Sequence, residues 1–108
     1  MAKPYSHCLA ALVLALLTFN GTLLDRTTGQ PLTGVRVETA GPTRALAVSD
    51  ASGRFRMNNL QPGRYTMTVR SNDVPRQTFS FTLTGNMTRT FRACSTTLDY
   101  NCAGPGGG

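Results

Sequence analysis

Residues 49–69, SDASGRFRMNNLQPGRYTMTV, constrain the fold more than any other part of the chain. Two turns of different chemistry each open directly onto an alternating strand. Asp50-Ala51-Ser52-Gly53 has the Asp-first, Gly-last composition of a type I turn running into a glycine bulge, a usual hairpin connection. Phe55 and Met57 then alternate with Arg54 and Arg56. Pro62 and Gly63 take the central positions of a type II turn, where Pro presets one φ and Gly accepts the positive φ that follows. Beyond it Tyr65, Met67 and Val69 share one face against Thr66 and Thr68, a period of two. Leu60 is the one apolar residue of an expected loop at 58–61, and it should plug an end of the core.

The same grammar runs through the flanking segments. Strands are expected at 18–24, 35–39, 44–49, 64–70, 76–83 and 87–93, besides the one that starts at Arg54. Phe19, Gly21 and Leu23 should face inward, as should Leu46 with Val48 and Phe79 with Phe81 and Leu83. Asp25, Gly29 and Pro31 supply the turn chemistry between the first two strands. No segment beyond residue 17 shows sustained helical periodicity. Short strands spaced by about 8 to 12 residues predict an all-β fold, a seven-stranded antiparallel Greek-key sandwich.

The two ends read differently from the middle. Residues 8–17, CLAALVLALL, form an unbroken apolar run of helix formers. Such a run is shorter than the roughly 20 residues that span a bilayer, but it suits the apolar region of a secretory signal. The expected division is therefore a signal-peptide helix at 1–17, a sandwich at 18–93, and a closed loop with a Gly-rich tail at 94–108. Membrane contact would come only through an uncleaved leader. Removing Cys8 with the leader leaves an even pair, Cys94 and Cys102, which fits a disulfide in an oxidising, secreted or periplasmic compartment. Closing so small a loop would contribute about 2–3 kcal/mol in the chain-entropy model.

The net charge is +6, and Lys3 is the one basic residue that is not arginine. Guanidinium suits bidentate contact with carboxylate, sulfate or phosphate. Arg36, Arg54, Arg56, Arg64 and Arg70 alternate with core residues and should point outward as a candidate basic binding face. Its partners would be a glycan, another anionic polymer or an envelope protein, set against the plainer reading of a solvated basic surface. Nucleic acid is not expected, because no binding motif accompanies the charge. Tyr100, inside the cysteine loop, is a candidate ligand contact. His7 is the chain's one histidine and lies in the leader. The rest of the chain therefore has no imidazole for general-base work, for a histidine-based triad or for zinc. Asp25 and Asp50 each start a turn closed by glycine, a better account of them than calcium ligation. No catalytic residue, metal or cofactor is expected.

Taken in order, these pieces resemble a carboxypeptidase regulatory-like domain, a transthyretin-like sandwich. Phe19, Gly21, Leu23 and Asp25 match its opening. Thr28-Gly29-Gln30-Pro31-Leu32 and Gly34-Val35-Arg36-Val37 match its next two pieces. Ser49-Asp50 to Phe55, then Leu60, Pro62-Gly63 and Tyr65, form the strongest piece. Asp73-Val74 departs from the pattern, which often has glycine followed by an aromatic residue after the fifth strand. The resemblance implies a non-catalytic accessory module that stabilises, spaces or binds an envelope component. Carbohydrate binding has been proposed for related folds, and the alternative is a purely structural domain without ligand. A hydroxyisourate hydrolase on the same scaffold depends on histidines, which residues 18–108 lack.

Overall fold

The computed structural model describes residues 16–98. Seven strands follow one another: β1 (Leu17–Asp25), β2 (Arg36–Ala40), β3 (Ala45–Val48), β4 (Arg54–Leu60), β5 (Gly63–Arg70), β6 (Gln77–Leu83) and β7 (Met87–Ala93). They make two sheets, β4-β1-β7 and β3-β2-β5-β6, whose inner faces bury a common core. The all-β sandwich is the architecture that the alternation predicts. One ladder departs from the antiparallel rule: β1 and β7 run parallel, from Phe19 beside Met87 to Asp25 beside Ala93. These are the first and last strands, so no hairpin turn dictates their relative direction. The expected leader helix, Tyr100 and Cys102 lie outside the described residues.

Phe19 is the hub of the core. Its ring stacks on Phe81 at 4.5 Å between centroids and meets Phe55 and Phe91 edge-on at 5.6 and 5.9 Å. Tyr65 also stacks on Phe81, at 5.4 Å, and donates its hydroxyl to the Gln61 carbonyl. Aromatic pairs in these geometries add about 0.5–1.5 kcal/mol each beyond the area they bury.

Three local expectations are corrected. The segment at 58–60 is strand rather than loop. β4 carries one more residue than β1 between the Phe19–Met57 and Leu17–Leu60 pairs, and Asn59 takes φ 62°. That bulge shifts the alternation by one and turns Leu60 into the core, where it is fully buried as expected.

The turn at Asp50 forms as its composition predicts. Gly53 has φ 78° and donates its N–H to the Asp50 carbonyl at 2.9 Å, while the Asp50 carboxylate accepts from the Ser52 and Arg54 amides. Yet it joins no hairpin, because β3 and β4 belong to different sheets. Ser49 stays bonded to Val35 beside β2, whereas the Gly53 carbonyl accepts from Leu23 of β1. Four residues thus carry the chain across the sandwich.

On β3, Leu46 and Val48 point outward, being 54% and 60% exposed. Every residue of β3 is apolar, so alternation alone gives no face. Pairing decides it: Ala45 and Ala47 lie beside inward-facing Thr39 and Val37, leaving Leu46 beside Glu38 and Val48 beside Arg36 on the outer face.

Candidate binding face

The arginines singled out by alternation are all exposed, but they do not form one patch. β4 places Arg54 and Arg56 on the outer face of the three-stranded sheet. β2 and β5 place Arg36, Arg64 and Arg70 on the outer face of the four-stranded sheet, across the core. Facing inward on these strands are Phe55 and Met57, Val37, and Tyr65 with Met67 and Val69.

The two groups have different surroundings. Arg36 and Arg70 sit side by side on neighbouring strands. Arg36 also meets Glu38 at 3.7 Å, and Asp73 lines the shallow depression that both arginines border. That face is charge-balanced where its arginines converge. The β4-β1-β7 face is not. Its antiparallel and parallel registers set Arg54, Thr22 and Thr90 in one row and Arg56, Asn20 and Thr88 in the next. Arg92 follows beside Leu24 at the end of β7. None of these outward residues is acidic, and neither Arg54 nor Arg56 has an ion-pair partner among the described residues.

Local bonds hold part of this face in place. Asn58 accepts from Arg56 Nε at 3.1 Å and from the Thr18 hydroxyl at 3.3 Å, which fixes one guanidinium near the lower end of β1. Asp50 reaches the rim, but its Oδ1 already caps the turn. Asn20, Thr22, Arg54, Arg56 and Thr88 border an open depression of about 620 Å³. Successive outward residues on one strand lie roughly 7 Å apart, and neighbouring strands about 4.8 Å apart. The result is a regular grid of amide, hydroxyl and guanidinium groups. Such a grid can donate hydrogen bonds to oxygen-rich ligands without a deep pocket.

Arg92, Thr22, Thr88 and Thr90 were not singled out from the sequence. Thr88, Thr90 and Arg92 alternate visibly along β7, but only the long-range pairing with β1 brings them beside Arg54 and Arg56. Gln77 also escaped notice. Its side-chain amide bonds Cys94 in both directions, Nε2 to the carbonyl at 3.1 Å and Oε1 from the N–H at 2.8 Å. The Asp73 carbonyl accepts from the Thr96 amide at 2.7 Å, and its carboxylate accepts from the Thr97 hydroxyl. The loop that departs from the family pattern at Asp73-Val74 is thus where the segment after β7 docks. Cys94 is buried at that junction.

Asp25 is wholly buried, and its Oδ2 accepts from the Thr27 amide, the Thr28 amide and the Thr28 hydroxyl at 2.7–3.0 Å. The turn role expected of it is present. Among the described residues, no three His, Cys, Asp or Glu side chains converge as a metal site would require.

Comparison with known proteins agrees with this architecture. The structure of 5-hydroxyisourate hydrolase from Klebsiella pneumoniae superposes with a TM-score of 0.56 at 24% identity, covering 74% of this chain and 91% of that one. A cohesin–X-dockerin complex from Acetivibrio cellulolyticus gives 0.58 at 22% identity, covering 68% and 52%. A putative carbohydrate binding protein from Bacteroides uniformis gives 0.57 at 16% identity, covering 73% and 41%. The chain thus spans about half or less of the last two, and likeness at these identities concerns the fold. Comparison with curated protein sequences finds no match. The model of the carboxypeptidase regulatory-like domain matches residues 18–93, and the chain belongs to that family.

Proposed function

We propose that the protein is a non-catalytic, extracytoplasmic binding module. It takes an anionic polymer, such as an envelope glycan bearing carboxylate, sulfate or phosphate groups, on the outer face of β4-β1-β7. One observation carries the reading: Arg54, Arg56 and Arg92 share that face with Asn20, Thr22, Thr88 and Thr90, with no acid among them. Guanidinium groups supply charge-assisted bonds to anionic substituents, and hydroxyl and amide groups meet sugar oxygens. The depression is open and shallow, which suits a chain lying across it better than a small molecule enclosed in a cavity.

The remaining elements of the reading follow the same compartment. The apolar leader exports the chain, and the Cys94–Cys102 disulfide closes the loop after β7 once it reaches an oxidising environment. Tyr100, within that loop, is a secondary contact. The Acetivibrio cohesin–X-dockerin complex and the putative carbohydrate binding protein of Bacteroides are consistent in kind. Absence of chemistry is part of the proposal, since the described residues include no histidine.

Affinity electrophoresis through gels holding anionic or neutral polysaccharides tests it. Retardation is expected in anionic gels and should fade as salt rises, because exposed charge pairs are screened. Equal mobility in every gel contradicts ligand binding and leaves the purely structural reading.

A further inference from the structure

Among the described residues, β3 lies at the edge of the four-stranded sheet, bonded to β2 on one side only. Its hydrogen-bonding phase can be read from its end. The Ser49 amide donates to the Val35 carbonyl, and alternation along an antiparallel pair then directs the Ala45 and Ala47 peptide groups to β2. The N–H and C=O groups of Leu46 and Val48 therefore face the open edge. Their side chains stand exposed on the outer face, the two most exposed large apolar residues of the strands. Edge strands are usually guarded by a charge, a proline or a bulge along their length. Here the guards sit only at the two ends, Arg44 before the strand and Asp50 after it, with opposite charge.

We propose that β3 is a self-association edge that pairs antiparallel with β3 of a second copy of this chain. Opposite charges at the two ends select the occupant. An antiparallel copy places Arg44 of each chain opposite Asp50 of the other, and this same register sets Leu46 opposite Val48 in two hydrogen-bonded pairs. The Ala47 residues then meet on the two-fold axis as a non-hydrogen-bonded pair, small enough to let the backbones approach. Sliding the register by two residues opposes Leu46 to itself or to Asp50 and separates the charges. The joined sheet has eight strands and sets each of these apolar side chains beside one from the partner strand. A two-fold pairing closes on itself and does not propagate.

Sedimentation velocity of the full chain over micromolar to millimolar concentration tests this. The wild type should shift from monomer to dimer. Leu46→Lys/Val48→Lys should stay monomeric over the same range with an unchanged melting temperature, since both side chains are exposed. Arg44→Asp, which sets like charges opposite each other, should raise the dissociation constant roughly three- to tenfold. Ala47→Cys should give a reducible cross-linked dimer on oxidation. A wild type that stays monomeric throughout, or a double lysine variant that dimerises like the wild type, overturns the proposal. So does a monomeric Ala47→Cys variant after oxidation.

Discussion

Gly21 of β1 stands opposite Phe55 of β4, and the Phe55 ring fills the space a side chain on Gly21 would occupy. A Cβ there would fall inside the contact radius of three ring carbons. The glycine is required by packing and not by φ. It lets the Phe55 ring lie over β1 and reach Phe19 edge-on. Gly21→Ala should therefore cost about 1–3 kcal/mol, as overpacking does. The melting temperature should fall by roughly 4–8 °C for each kcal/mol in a domain this size. Adding Phe55→Leu should recover part of the loss, and an undiminished melting temperature for Gly21→Ala would contradict the packing.

Asp25 organises the turn after β1 through three hydrogen bonds to one carboxylate oxygen. Asp25→Ala removes the shared acceptor of three part-buried hydrogen bonds and should destabilise the domain by about 1–3 kcal/mol in denaturant unfolding. Calcium should not change the melting temperature of the wild type. A calcium-dependent rise would assign the carboxylate a different role.

Gln77 acts as a side-chain substitute for a strand neighbour, bonding both polar groups of the Cys94 backbone. Gln77→Ala should speed amide exchange at Cys94 and Thr96 well before it affects the amides of β5. Uniform acceleration across both sheets would instead indicate a global loss of stability.

Much of this fold was legible because its turns and alternation are local. Asp50, Gly53, Pro62 and Gly63 fix where the chain turns, and Phe19, Tyr65 and Val69 bury as their spacing implies. What escaped depends on partners distant in sequence. The ALAV of β3 has no polar phase, so its face is set by Val37 and Thr39 of β2. The turn at Asp50 carries hairpin chemistry but feeds two sheets, a choice made by the bonds of Ser49 to Val35 and of Leu23 to Gly53. The arginines were correctly expected outside. Their division between opposite faces, and the addition of Arg92 through the parallel β1–β7 register, follow from sheet order alone.

The assignment of binding to one face is tested most directly by titrating an anionic polysaccharide into two double variants of equal charge. Arg54→Ala/Arg56→Ala should weaken binding at least tenfold and flatten its salt dependence, while Arg36→Ala/Arg70→Ala should bind within about twofold of the wild type. Equal losses in both variants, or a larger loss from Arg36→Ala/Arg70→Ala, would contradict the account.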